Sequence, residues 1–252
     1  MNRLSVSVIL LAGGTGRRFG ADRPKQFVPL ADQPMLAWSL RRFCSWLDRI
    51  ESADASFKAG SLVLVSHPDY STESLDLASR TVPDWAGRLI LAEGGATRHL
   101  SSVNGVRAAG QSGIYVIHDT ARPYVPDSDL DALLDAFRDS ESSVASLVVP
   151  SSETLVQGTE GLLEKGLDRN HIFAVKTPQA FRTSLKQRFT QETDRPEYTD
   201  LLRWAEMQGE RATLVAGSAL NLKLTNPEDR LILEAVLRNA ALMKDRAGEH
   251  SV

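Results

Sequence analysis

Six short, almost uninterrupted apolar runs recur along the chain: Val6–Ala12, Leu62–Ser66, Leu89–Ala92, Ile114–His118, Val144–Val149 and Thr213–Ala216. Runs with so little polar alternation are strands covered on both faces, the hallmark of a mainly parallel sheet between helices. Amphipathic segments fall between them. Leu130, Leu133, Leu134 and Phe137 stand at i, i+3, i+4 and i+7 behind Asp127-Ser128. A second helix is predicted from Thr199 to Gly209. A third opens on Asn226-Pro227-Glu228-Asp229, a cap residue followed by proline and first-turn acid. The alternation predicts a three-layer α/β sandwich.

One stretch breaks the pattern. Ser151 to Gln179 carries Gly158, Gly161 and Gly166 among short β-like pieces, with no helix. A segment that long is a functional element or an excursion from the domain body. Its Leu162, Leu163, Ile172 and Phe173 would be poorly covered in a monomer, so a two-fold homodimer is expected. With no internal repeat or low-complexity linker, residues 1–245 read as one domain and 246–252 as a disordered tail.

Charge and cysteine content exclude several classes. Lys and Arg total 29 against 32 Asp and Glu, a net charge of −3 with no run of like sign. That gives no electrostatic case for nucleic acid or an anionic membrane. No apolar stretch approaches the ~18–20 residues that span a bilayer. Arg3 before Val6–Ala12 imitates a signal peptide, but the run is short, lacks a small-x-small cleavage site and enters glycines. Cys44 is the only cysteine, so no internal disulfide forms. It lies among Trp38, Phe43 and Trp46 and reads as a packing residue. A cytoplasmic protein is expected.

Chemistry enters at Gly13-Gly14-Thr15-Gly16-Arg17-Arg18, directly after the first strand and before Pro24-Lys25-Gln26. Glycines at a strand's carboxyl end let backbone N–H groups approach a phosphate, and Arg18 and Lys25 add positive charge suited to a triphosphate. The spacing is not a P-loop, because no Lys-Ser/Thr pair follows. It is not a dinucleotide fingerprint, because Phe19 stands where a third glycine belongs. No tyrosine is followed by lysine at Tyr-x-x-x-Lys spacing, which removes the short-chain dehydrogenase reading.

Further blocks follow in order: Gly94-Gly95-x-x-Arg98-x-x-Ser101, His118-Asp119-x-Ala121-Arg122-Pro123, Asp168-Arg169, Thr177-Pro178-Gln179, Thr199-Asp200 and Asn221-x-Lys223-x-Thr225-x-Pro227-Glu228-Asp229. Together with the glycine loop and Pro24-Lys25-Gln26, they resemble the 2-C-methyl-D-erythritol 4-phosphate cytidylyltransferase family from about Val6 to Leu237.

The resemblance implies a Rossmann-like nucleotidyltransferase domain with a projecting β-arm, placed here at 151–179, that completes a partner's site in a homodimer. It implies transfer of CMP from CTP to the polyol phosphate, with Mg²⁺ bound and pyrophosphate released. Arg18, Lys25, Arg169 and Lys223 would be catalytic. Ala12, Gly13, Gly14, Gly94, Gly95 and Ser101 would hold the cytidine, and Arg122 and Thr154, with Arg169 and Lys223, the acceptor phosphate. Asp119, at a strand's carboxyl end, would meet the metal. His118 has neither metal-ligand spacing nor a nucleophile beside it and reads as structural.

Three positions depart from the family pattern. Thr120 stands where the family usually has alanine or another small residue, Glu153 where it has Asp, and Leu220 where many members are polar. Ribitol-5-phosphate cytidylyltransferases share the loop and the arm, which leaves the acceptor open. A CTP or CMP sensor on a degenerate fold is the reading from another class. Retention of Arg18, Lys25, Asp119 and Lys223 together argues against it. A fused second enzyme is not expected.

Overall fold

In the computed structural model, which describes residues 3–14, 23–138, 141–191 and 195–249, every one of the six apolar runs is a strand of one seven-stranded sheet. β1 (Leu4–Ala12) and the small hairpin β2 (Pro29–Leu30) and β3 (Gln33–Pro34) precede α1 (Met35–Ala53). Then come β4 (Phe57–Ser66), α2 (Ser71–Thr81), β5 (Leu89–Glu93), α3 (Arg98–Ala108), β6 (Ile114–Asp119), α4 (Asp127–Asp135) and β7 (Val144–Pro150). A separate hairpin follows, β8 (Val156–Thr159) and β9 (Leu162–Gly166). The chain ends with β10 (Phe173–Arg182), α5 (Lys186–Gln191), α6 (Leu201–Met207), β11 (Ala212–Ala216) and α7 (Pro227–Glu249).

The strand order is β11-β7-β10-β6-β1-β4-β5, parallel except for β10, which runs against both neighbours. Each central strand feeds two cores. Val6, Val8 and Leu10 of β1 face one side with Ile114 and Val116 of β6, while Ile9 joins Tyr115 and Ile117 on the other. α1 covers the first side through Leu36, Leu40, Phe43, Leu47 and Ile50, spaced four and three apart as a helical stripe requires. α3 and α6 cover the second through Val103, Val106, Leu201 and Trp204. α3 lies close to the sheet because Gly105 has no side chain; a Cβ there would collide with Ile9 and Val65.

Cys44 is 4% exposed in the α1 core, and burial, with Asp48 nearby, pushes its thiol up to about 12, so it packs and stays protonated.

Several expectations need correction. The irregular stretch does not run as an arm to Gln179, because Phe173 onward belongs to the main sheet. Pro178 hides that strand from sequence reading, since proline has no N–H for a ladder. The register shifts between Val175 and Gln179 and leaves Pro178 outside both pairings. The projecting element is therefore the shorter stretch around β8 and β9. The predicted Thr199–Gly209 helix begins at Leu201, capped by the Asp200 side chain on the Arg203 N–H. Phe137 lies past the end of α4 but keeps its place in the core. α7 extends to Glu249, so residues 246–249 are helical where a disordered tail was predicted; 250–252 lie outside the described residues.

Candidate active site

After β1 the chain crosses to β4 on one side and returns to β6 on the other, so the carboxyl ends of these strands flank a topological switch point. A cleft of about 740 Å³ opens there, lined by Gly13 and Gly14 after β1, His67 after β4, Gly95 after β5 and Asp119 at the end of β6. Lys25 and Lys223 line it as well.

Backbone forms the cleft's floor. A Cβ on Gly13 would stand 3.7 Å from the Gly94 Cα, 3.8 Å from the His67 amide nitrogen and 3.9 Å from Ser101 Oγ. The predicted nucleoside residues Ala12, Gly13, Gly14, Gly94, Gly95 and Ser101 thus gather at one end of the cleft. Gly95 must be glycine, because a Cβ there would overlap the Leu100 side chain. Its N–H donates to Ser101 Oγ at 3.0 Å. Thr97 caps α3, accepting the Leu100 N–H at 3.1 Å, and its carbonyl accepts from Ser101 Oγ at 2.9 Å.

Charge gathers on the β6 side. Arg98 approaches Asp119 Oδ1 through Nε at 2.9 Å and Nη2 at 2.8 Å, and Lys223 Nζ donates to Oδ2 at 2.9 Å. Burial disfavours the Asp119 carboxylate, but the Arg98 and Lys223 charges outweigh it and hold the group ionised well below the usual carboxylate range. Lys25 Nζ donates to the carbonyls of Leu224 and Thr225 at 3.1 and 3.2 Å. The cleft lining therefore carries three cations, Lys25, Arg98 and Lys223, against one carboxylate, an imbalance suited to phosphates.

A buried relay supports Asp119 from behind. Its N–H donates to Thr177 Oγ1 at 3.1 Å, Thr177 meets His118 Nδ1 at 3.1 Å, and His118 Nε2 meets the Arg122 carbonyl at 3.0 Å. That carbonyl can only accept, so Nε2 carries the proton and the Thr177 hydroxyl donates to Nδ1. Burial lowers His118 to about 4, which keeps the ring neutral and makes it a spacer, as its sequence context predicted. Thr120 sends both its amide (3.1 Å) and its hydroxyl (2.9 Å) to the Leu11 carbonyl, pinning the end of β1 just before the glycines.

Other predicted residues stand apart from the cleft. Arg122 donates to the Asn221 carbonyl at 2.9 Å, while its Nε is buried with no hydrogen-bond partner. Thr154 and Arg169 do not line the cleft of their own chain; both are exposed, and Arg169 reaches the Ser152 carbonyl at 3.4 Å. Arg18, with Thr15–Asp22, lies outside the described residues. Sequence reading quoted Arg98 inside a motif but gave it no role. Its signal was its place as the first residue of α3 behind the Thr97 cap, which aims it at β6. The Leu224 and Thr225 carbonyls left no signal, because backbone groups carry none.

A family model for 2-C-methyl-D-erythritol 4-phosphate cytidylyltransferase matches residues 6–239. The chain is 37% identical over 232 residues to a protein of that name from Leptospira borgpetersenii serovar Hardjo-bovis, covering 91% of this chain and 92% of the relative. It is 32% identical over 236 residues to one from Halalkalibacterium halodurans, covering 93% and 97%. Among solved structures, the 4-diphosphocytidyl-2C-methyl-D-erythritol synthase of Anaerococcus prevotii superposes with a TM-score of 0.71 at 19% identity, covering 92% of this chain and 96% of that one. The Thermus thermophilus cytidylyltransferase gives 0.66 at 24%, covering 91% and 98%. Both carry the same fold.

Proposed function

This chain belongs to the 2-C-methyl-D-erythritol 4-phosphate cytidylyltransferase family, and from that premise we propose how its residues carry the reaction. The enzyme transfers CMP from CTP to 2-C-methyl-D-erythritol 4-phosphate. An oxygen of the acceptor phosphate attacks the α-phosphorus of CTP, the bond to the bridging oxygen breaks, and pyrophosphate leaves with the electron pair. Such a displacement needs positioning and charge neutralisation more than proton transfer.

The observation that carries the assignment of roles is Asp119 held by Arg98 and Lys223, with Lys25 lining the same cleft, beside a floor of bare backbone. The glycine backbone and Ser101 hold the cytidine, where hydrogen bonds to the base edge separate cytosine from uracil. Lys25 neutralises charge that builds on the phosphates, with Arg18 assigned the same role from sequence. Lys223 leaves Asp119 for a phosphate oxygen when substrate arrives. Arg122, whose Nε is buried and unpartnered, grips the acceptor phosphate.

Asp119 would hold Mg²⁺. Among the described residues no three His, Cys, Asp or Glu side chains gather as a metal cage, and Asp119 is the carboxylate lining the cleft. One carboxylate beside phosphates fits Mg²⁺, which keeps mostly water and phosphate ligands. When bound, the ion adds charge neutralisation on the triphosphate.

The homodimer rests on the arm: Leu162 and Leu163 are 74% and 71% exposed, and Thr154 and Arg169 lie outside their own cleft. In the dimer these two residues complete the partner's acceptor site. A cytoplasmic setting accords with the single, buried thiol. Among the described residues no helix is long and apolar enough to cross a membrane.

A pyrophosphate-release assay crossing CTP, UTP, ATP and GTP with methylerythritol and ribitol phosphates tests the reading. CTP with methylerythritol phosphate is expected to give the highest kcat/KM, abolished by EDTA and restored by Mg²⁺. Preference for another nucleotide or for ribitol 5-phosphate would overturn the substrate assignment. Full activity in EDTA would remove the metal.

A further inference from the structure

His67 follows β4 and lines the cleft where the backbones of Gly13 and Gly94 meet. Its side chain is 33% exposed. Two contacts fix it. Nδ1 accepts the Asp69 N–H at 3.3 Å, capping the short turn Pro68–Tyr70. On one side the Tyr70 ring lies 6.0 Å away, itself 5.7 Å from Phe27. This row of three rings runs from the turn that carries Lys25 to the wall of the cleft.

The cap settles the chemistry of the other nitrogen. A ring nitrogen that accepts an N–H carries no proton of its own, so in the capped ring the proton sits on Nε2. The Asp69 carboxylate, 3.6 Å from Nδ1, is an ion-pair partner only of the doubly protonated ring, in which Nε2 donates as well. The ring thus offers one fixed donor, on the β4 side of β1. The Asp119 cluster, with Lys25 and Lys223 tied to it or to the adjacent 224–225 backbone, lies on the β6 side. That separation places His67 at the nucleoside and away from the triphosphate.

We infer that His67 is a nucleoside-binding residue, its ring edge walling the cytidine pocket and its Nε2–H donating to an acceptor on the base or ribose. The inference rests on the CTP reading above and assigns a side chain to a pocket otherwise made of backbone and Ser101. Because the cytidine is present before and after the chemical step, His67 supplies uniform binding: it acts on KM and leaves kcat alone.

The test separates the cap from the contact. Asparagine at position 67 can still accept the Asp69 N–H but lacks the reach and the Nε2 donor. His67→Asn is expected to weaken CMP binding by calorimetry, and to raise the KM for CTP, by about 3–10-fold, the scale of one neutral hydrogen bond. Its kcat should stay within about twofold and its Tm should match the wild type, as uniform binding demands. His67→Ala should add a fall in Tm from the lost cap. Titrating 2′-deoxy-CMP locates the acceptor: a smaller His67→Asn effect points to the ribose, an equal one to the base. If His67→Asn binds CMP as tightly as wild type, with only His67→Ala impaired, the residue is a cap alone and the inference fails. Wild-type enzyme preferring UMP or AMP would instead sink the CTP assignment, and the same variants would still be compared on the nucleotide that binds.

Discussion

At the cleft, Asp119 divides its two oxygens between Arg98 and Lys223, and Lys25 is tied to two backbone carbonyls. On the arm, Val156, Leu162 and Leu163 are 58%, 74% and 71% exposed, and β8 and β9 pair only with each other. Both regions were flagged by unusual sequence, but they are unusual in opposite ways. Polar residues at the cleft find partners within one chain because parallel strand ends and helix starts converge there. The arm's apolar residues find none, because a two-stranded hairpin has no second layer to bury them. One region is preorganised, the other waits for a surface.

Preorganisation of the cleft is tested most strongly at Lys25. Lys25→Ala should leave the fold intact, since the residue sits on a short turn outside the sheet. It should cost about 10²–10³-fold in kcat, the scale of losing one preorganised charge-stabilising donor. A rise in KM with kcat unchanged would make it a binding residue only.

The next effect concerns stability. His118 titrates near 4 in the fold because it is buried, against ~6.5 when unfolded. Between those values the unfolded chain holds a proton that the folded chain does not. The His118 contribution to stability should therefore be constant above about pH 6.5 and fall by about 3 kcal/mol in all as pH drops towards 4. Urea midpoints across that range, for wild type and His118→Gln, check it. An equally steep decline in the variant would place the acid sensitivity elsewhere.

The smallest effect on the cleft should come from the arm. Leu162→Asp with Leu163→Asp should shift the sedimentation coefficient from dimer to monomer and leave CMP affinity within about twofold, since the mutated side chains are mostly exposed in their own chain and lie outside the cleft. A tenfold loss of CMP affinity would mean that the nucleotide end of the cleft also depends on the second subunit.

Much of this was legible in the sequence. The double-sided apolar runs gave the sheet because β1, β4 and β6 feed cores on both faces, a pattern that shows in composition alone. Lys25 stood out beside the glycine loop and Asp119 at a strand's carboxyl end, while Lys223 was picked out only through the family resemblance. What stayed hidden was set by tertiary geometry. β10 was masked by Pro178 inside its run, and the short β2–β3 hairpin carries no periodicity at two residues a strand. Arg98 stood in a motif with no role and His67 drew no attention, because only the fold carries one to Asp119 and the other to the cleft wall.

In the proposed reading, a cleft that binds CTP within one chain needs a partner's arm for the acceptor. Lys25→Ala and Arg169→Ala, each expected to be severely impaired alone, should be unfolded and refolded together, with mixed dimers verified by native mass spectrometry. If the arm acts across the interface, each mixed dimer holds one site with both residues intact, and a 1:1 mixture should recover roughly a quarter of the wild-type rate. Mixed dimers that form and remain inactive would show that Arg169 serves its own subunit, contradicting the claim.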